Sequence, residues 1–281
     1  MFEDALGVYW EAHYLGTPVV TIPTVLTWMH RIRQISGEHQ QTLLCEWSLL
    51  LANMYADQRK FVEAFTLLDD ALKMAIGNDD RELQAAIPYR IGHIHMDHHT
   101  FSLSADALKQ AYHLIQYANV PLRGAIIQTA ALALAFTSQT NTDRAASERM
   151  LMQASKLTDT IEHDPYHVRF NYGRYLLELG DAQIVLKRPD AALETLDEAD
   201  NSIGLDQQRR KGYISILRAE AMTSMKQPCL ESSADQLIQA VELSSPIEST
   251  YNMEYVGRLS NRVQQSPYAN HIGAPICGSC A

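Results

Sequence analysis

The chain has 281 residues, 46% of them apolar, so it can bury a sizeable core and is not disordered throughout. Its 33 acidic residues outnumber its 23 basic ones and its basic runs are short, which argues against a nucleic-acid-binding surface. The N-terminus lacks the order of a signal peptide and the most apolar stretch, 130–136, is too short to span a bilayer, so we expect a cytoplasmic protein without membrane contact.

Apolar residues recur at helical spacing along the chain, and the alternating pattern of strands hardly appears. Proline, glycine and Asn/Asp-rich breakers separate the helical segments, as at 77–80 and 187–190. The sequence therefore predicts an all-α protein with 12–13 helices. The predicted helices cover 2–15, 22–36, 40–57, 60–76, 82–98, 103–118, 123–138, 143–158, 165–185, 189–202, 208–226, 230–244 and 247–265.

A pattern of small residues recurs five times along these helices. Each copy has a small residue, a second one twelve positions later, a leucine four further on and an alanine three beyond that. Successive copies lie 40, 43, 45 and 41 residues apart. The copies are Ala52, Ala64, Leu68, Ala71; Gly92, Ser104, Leu108, Ala111; Ala135, Ser147, Leu151, Ala154; Gly180, Ala192, Leu196, Ala199; and Ala221, Ser233, Leu237, Ala240.

Small side chains at this spacing allow two helices of a hairpin to pack closely, with leucine filling the adjacent hollow. We expect the first small residue, on the leading helix, to face the second one on the trailing helix. We expect the final alanine to lie where the following hairpin approaches.

The repeat resembles the tetratricopeptide repeat (TPR), a helix–turn–helix unit, over about residues 40–244. The standard unit has about 34 residues, whereas these run to 40–45 and only Tyr55 fills the usual aromatic position of the leading helix. The resemblance implies a right-handed TPR-like α-solenoid. In its long-repeat form it is similar to the sensor region of bacterial transcriptional regulators, without their DNA-binding domain.

The resulting domain prediction is a single helical-repeat domain over 1–265, followed by a flexible tail at 266–281. Within the domain, 1–39 reads as a degenerate first hairpin, 40–244 as the five repeats and 245–265 as a capping helix.

The leading helices of such a stack line a concave groove, and the repeat register predicts which side chains enter it. The mixture of aromatic, amide and charged side chains suits an extended peptide, a protein segment or a small metabolite. The alternative is that many of these side chains only pack against neighbouring helices. The predicted groove residues are Asn53, Tyr89, His93, Phe136, Gln139, Arg174, Asp181, Arg218 and Met222.

Two further motifs suggest metal binding, although a plainer interpretation is favoured for each. His95 and His99 are spaced to share one helical face, but the glutamate of the usual metalloprotease motif is missing. Cys277 and Cys280 form one CxxC pair without the second pair of a structural zinc site, which favours a flexible tail with two thiols. We therefore predict no metal and no cofactor.

No nucleotide-binding loop or nucleophile motif appears, so the sequence gives no support for an enzyme. The expected function is a non-catalytic module that binds a peptide or protein segment as the sensor of a bacterial regulatory system. Two alternatives stay open: a scaffold that holds proteins together without a signalling change, and a carrier or substrate whose Cys-Gly-Ser-Cys tail is modified or binds metal.

Overall fold

The computed structural model describes residues 2–15, 21–37, 39–160, 162–204, 206–247 and 249–264. These residues form thirteen α-helices and two short 3₁₀ turns, Ile115–Tyr117 and Ser245–Ile247, and contain no strand, so the described chain is all-α. The helices are α1 (Phe2–Leu15), α2 (Ile22–Ile32), α3 (His39–Asp57), α4 (Phe61–Gly77), α5 (Arg81–Asp97), α6 (Phe101–His113), α7 (Val120–Thr137), α8 (Asn141–Ser155), α9 (Tyr172–Val185), α10 (Pro189–Ser202), α11 (Gln208–Ser224), α12 (Leu230–Ser244) and α13 (Thr250–Gln264).

The chain divides into two compact units, one that ends at Asn171 and one that begins at Tyr172. In the first unit, consecutive helices pack as the pairs α3–α4, α5–α6 and α7–α8, and α5 also contacts α3 and α7. In the second unit, the pairs are α9–α10 and α11–α12, and α11 contacts α9 and α13. Within each unit, leading helices therefore lie beside leading helices, as expected of stacked hairpins.

The repeat positions form the contacts between the helices of each hairpin. Every alanine, serine and leucine of the pattern is buried. A Cβ atom added to Gly92 would lie 2.6 Å from Cγ of Leu108, and one added to Gly180 would lie 2.8 Å from a methyl carbon of Leu196. The repeat glycines are therefore required by a close approach of the facing leucine.

Serine at the second small position adds a hydrogen bond between the helices of three hairpins. The hydroxyl donates to a backbone carbonyl of the leading helix: Ser104 to Gly92 at 2.8 Å, Ser147 to Ala131 at 2.7 Å and Ser233 to Ala219 at 3.1 Å. The final alanine also contacts its own hairpin, since Cys45 Sγ donates to the Ala71 carbonyl at 3.3 Å.

Three hairpins share one turn between their helices. Arg59, His99 and Lys187 each lie seven residues after the first small position and have φ of +60°, +56° and +65°. The amide of the following residue donates back across the turn, as from Lys60 to the Tyr55 carbonyl at 2.9 Å. Glycine is the usual residue at such a left-handed helix end. Because these three residues carry a Cβ atom, their backbone conformation is strained.

Helix α7 is the one described helix that is long and apolar enough to cross a membrane. However, 67% of its apolar stretch is buried inside the protein, and core helices of soluble proteins have the same composition. Small residues on α7 let α8 and other parts of the first unit pack closely against this helix; they are Gly124, Ala131 and Ala135.

One predicted helix is wrong at its start. The sequence predicts a helix over 165–185, whereas α9 begins at Tyr172 and residues 162–171 are not helical. Pro165 disfavours helix at Asp164, and the Asp164 carboxylate accepts hydrogen bonds from the amides of Val168 and Arg169. His167 and Arg169 adopt left-handed conformations, which a continuous helix cannot contain.

Candidate functional site

The leading helices of the first unit share a face that other parts of the same unit cover. We define this covered face by Asn53 on α3, Arg90 on α5 and Gly124 on α7. Arg90 is only 2% exposed, and its Nη1 lies 3.4 Å from Oδ1 of Asn53. Helix α1 and residues 162–170, called the 162–170 segment below, contact this face.

Helix α1 contacts the part of the covered face formed by α3 and α5. Nε2 of His13 lies 3.0 Å from Nδ2 of Asn53 and 3.5 Å from Oδ2 of Asp57. The ring of Trp10 stands under the Arg90 guanidinium, whose central carbon is 5.0 Å from the ring centroid. Aromatic α1 side chains thus shield the Arg90 charge by a cation–π contact.

The 162–170 segment lies on α1 and on the covered face as a nonhelical peptide that turns at 165–166. Two side chains hold its backbone: Nη2 of Arg90 donates to the Tyr166 carbonyl at 3.1 Å, and the Tyr14 hydroxyl donates to the His167 carbonyl at 2.6 Å. Since every peptide carries these carbonyl groups, the two donors bind backbone and are independent of side-chain identity.

The side chains of the segment add apolar and aromatic contacts. Val168 is fully buried and Tyr166 is 6% exposed. The His167 ring stacks on Trp10 with centroids 5.5 Å apart, and the Phe170 ring lies over Gly124, where an added Cβ would come within 2.3 Å of it. A helix without a side chain at position 124 therefore makes the space for an aromatic ring.

Charged contacts fix the exposed edge of the segment. Arg169 pairs with Glu11 and lies over the Tyr14 ring, with its central carbon 4.2 Å from the centroid. At the other end, the Glu162 carboxylate accepts a hydrogen bond from the backbone amide of Val120 at 3.1 Å. The ends of the segment are thus held by solvent-accessible contacts, which are weaker than buried ones.

Burial changes the titration of two segment side chains. The pKa of His167 falls to about 4, chiefly because burial disfavours the charged ring, so the imidazole stacked on Trp10 is neutral at pH 7. Burial also raises the pKa of the Tyr166 hydroxyl, and the nearby Glu82 carboxylate adds to this effect. The Tyr166 and His167 rings are therefore largely shielded from water, although Glu162 and His163 of the same segment are exposed.

Some buried polar groups of this region are not satisfied by the segment. Among the described residues, Nε of Arg90 has no hydrogen-bond partner, and neither has either amide atom of Gln128. Gln128 is fully buried on α7, one helical turn beyond Gly124 on the same face. Each unsatisfied buried group costs about 1–3 kcal/mol, so the occupied face keeps unused binding capacity.

The predicted groove residues of the first unit are largely engaged with the protein itself. Asn53 bonds to His13 and Arg90 as described, and Tyr89 is fully buried beside His93, with ring centroids 6.1 Å apart. Nδ1 of His93 lies 3.5 Å from a carboxylate oxygen of Asp97. Phe136 stacks on Phe101 at 4.0 Å, and Gln139 is exposed beyond the end of α7.

In the second unit, two predicted groove residues belong to a buried polar cluster. Nε of Arg174 donates to Glu178 at 3.1 Å, and the Tyr213 hydroxyl donates to Asp181 at 2.9 Å. Burial, with a smaller contribution from the neighbouring Glu220 carboxylate, raises the pKa of Asp181 to about 7. The Tyr213–Asp181 hydrogen bond connects α9 to α11, whereas Arg174 and Glu178 pair within α9, and all three charged side chains are buried.

The other two predicted residues of this unit differ in their surroundings. Arg218 turns toward α10, where it pairs with Asp197 at 2.7 Å and Asp200 at 3.1 Å. Met222 is half-buried one turn further along α11.

The histidine motif forms no metal centre among the described residues. Nδ1 of His95 lies 2.8 Å from the Thr100 hydroxyl and its ring stacks on Phe65 at 4.3 Å, whereas His99 forms an edge contact with Phe101. Within the described ranges, no group of three or more His, Cys, Asp or Glu side chains could hold a metal ion. Cys277 and Cys280 lie outside the described residues.

Sequence reasoning missed the 162–170 segment and its contact with Arg90 and Trp10. A signal was present: Tyr166, Val168 and Phe170 alternate with polar residues directly after Pro165. Such a short period-two pattern argues against a helix and for a segment with one buried side.

Comparison with known protein families and with curated proteins gives no match for this chain.

Proposed function

We propose that this protein is a non-catalytic TPR-like module whose first unit binds an extended peptide or protein segment on the covered face. The observation that carries the proposal is the 162–170 segment. This segment is a nonhelical peptide. Arg90 and Tyr14 donate hydrogen bonds to two of its backbone carbonyls, and its His167 ring stacks on Trp10. A surface that holds this segment has the donors and apolar contacts needed for a segment from another chain.

The regulatory part of the proposal rests on the form of the repeat. Long helical repeats with a ligand on their leading helices suit a cytoplasmic sensor of a bacterial regulator, in which binding alters the packing of the stack. A scaffold would use the same surface without such a change. A sensor and a scaffold therefore differ in one respect: only in a sensor does ligand binding change the helix packing outside the binding surface.

The test is selection of peptides from a random 12-residue display library on the full chain, followed by fluorescence polarisation. The selected peptides should bind Phe170→Ala, in which the 162–170 segment is loosened, about 5–10-fold more tightly than they bind the double variant Tyr14→Phe/Phe170→Ala, because the lost backbone hydrogen bond is worth about 1 kcal/mol. Tyr117→Phe makes the same chemical change at an exposed site and should leave affinity unchanged.

Selection should be repeated on Phe170→Ala, which loosens the 162–170 segment, so that the covered face is also presented open. If neither protein selects a peptide that binds better than its scrambled version, the proposed function is wrong. If adding Tyr14→Phe to Phe170→Ala leaves peptide binding unchanged, the site lies elsewhere and the proposal is contradicted.

A further inference from the structure

We infer that the 162–170 segment is a built-in competitor, and that the partner is a nonhelical protein segment with the same order of side chains. That order is an aromatic residue, a ring that stacks on Trp10, a β-branched residue, arginine and a further aromatic residue, as in Tyr166–Phe170. The inference rests on the proposed function and adds the chemistry of the partner and the way in which access is controlled.

The side-chain order follows from the contacts at each position. The positions of Tyr166 and Val168 are almost fully enclosed and accept an aromatic ring and a compact branched side chain. The next position reaches the Glu11 carboxylate and the face of Tyr14, which together favour a planar cation. The last position lies over Gly124, where only a helix without a Cβ atom leaves room for a ring.

The resident segment uses the covered face incompletely, which leaves a competing segment room to bind better. While the segment is seated, Arg90 Nε and both amide atoms of Gln128 are buried without hydrogen-bond partners among the described residues. A peptide with an additional carbonyl or amide beside Gln128 would satisfy these groups, as buried polar groups in native proteins generally are.

The resident segment is also strained and can leave without unfolding a helix. His167 and Arg169 have φ of +49° and +52°, which are unfavourable for residues with a Cβ atom. The segment lies between the end of α8 at Ser155 and the start of α9 at Tyr172, so its departure breaks no helical hydrogen bond. Because it leads into α9, its release is a change that partner binding could transmit along the chain.

The experiment uses a fluorescein-labelled peptide with the sequence of residues 160–171, TIEHDPYHVRFN, and the full chain. Fluorescence polarisation gives its affinity for the wild type, for Phe170→Ala and for Val168→Asp, two changes that weaken the resident segment at different positions. Tyr117→Ala removes an exposed ring elsewhere and serves as the matched control. Circular dichroism confirms that each variant is folded.

We expect both segment variants to bind the peptide at least 10-fold more tightly than the wild type and the control do. A peptide in which the valine equivalent to Val168 is aspartate should not bind. Equal affinity for the wild type and both folded variants, or no binding to either variant, would overturn the competitor inference.

The two proposals fail in distinguishable ways. If library peptides bind through Tyr14 while TIEHDPYHVRFN does not bind the folded variants, peptide binding stands and the partner chemistry is wrong. If Phe170→Ala instead forms dimers by exchanging the segment between copies, as light scattering would detect, the occupant is a second copy and the inference is also wrong.

Discussion

Substitution of Gly124 by alanine tests directly whether the Phe170 ring is seated on α7. The new Cβ atom would lie 2.3–2.5 Å from three ring carbons, so the ring must leave its position. The matched control is Gly257→Ala on α13, where an added Cβ meets nothing within 4 Å. Both changes replace glycine within a helix, which by itself stabilises the fold by about 1 kcal/mol.

The two variants should therefore differ in sign. Loss of the half-buried Phe170 ring costs about 1 kcal/mol, and the carbonyl hydrogen bonds from Arg90 and Tyr14 contribute about 1 kcal/mol each if the segment is released. Gly124→Ala should lose up to about 2 kcal/mol after the helix gain is included, while Gly257→Ala gains about 1 kcal/mol. The resulting difference between the two variants, up to about 3 kcal/mol, corresponds to about 6–12 °C in Tm.

The assay is thermal unfolding followed by circular dichroism, combined with hydrogen exchange of the 162–170 segment. In Gly124→Ala, the Val168 amide should lose protection, whereas α12 should be unchanged. If Gly124→Ala is stabilised as much as Gly257→Ala and the segment keeps its protection, the described seating of Phe170 is wrong.

Three further predictions address other contacts. Tyr14→Phe should lower the free energy of unfolding by about 1 kcal/mol and speed hydrogen exchange of the Val168 amide, because the His167 carbonyl loses its hydrogen-bond donor. Tyr117→Phe is the control, and unchanged exchange in Tyr14→Phe would contradict the prediction. Asp181 has a folded pKa of about 7 against an ordinary value of 3.8, so wild-type stability should fall as pH rises from about 4 to 7. Asp181→Asn should flatten that decline and gain about 1–3 kcal/mol at pH 8, as urea unfolding would measure, and a parallel decline in both proteins would refute the assignment. Lys187→Gly should raise the free energy of unfolding by about 0.5–1 kcal/mol, because Lys187 has φ of +65°. The control Lys156→Gly, at φ of −69°, should be neutral or destabilising. Equal changes in Tm for the two variants would argue against strain at Lys187.

The sequence predicts the helices and the hairpin contacts well because both depend on local and periodic signals. Gly92 and Gly180 lie against the predicted leucines of the same hairpins, and the helix boundaries mostly agree to within a few residues. Small residues at fixed spacing are a strong signal because a larger side chain would clash in every hairpin.

The site was harder to predict because its contacts join residues far apart in the chain. Tyr14 and His167 are 153 positions apart, and Arg90 and Tyr166 are 76 apart. The repeat register placed Asn53 on the face of α3 that lies beside Arg90 of α5, but it could not show that α1 and the 162–170 segment cover that face. Arg218 likewise pairs with α10 because Asp197 and Asp200 are within reach, which the register does not encode.

The most direct test of the account is hydrogen exchange of the full chain while a library-selected peptide is titrated to saturation. If the covered face binds peptides in competition with the 162–170 segment, protection of the Val168 amide should fall in step with peptide occupancy while α12 stays unchanged. If the segment keeps its protection at saturating peptide, the peptide binds elsewhere and the account of this face as the binding site is wrong.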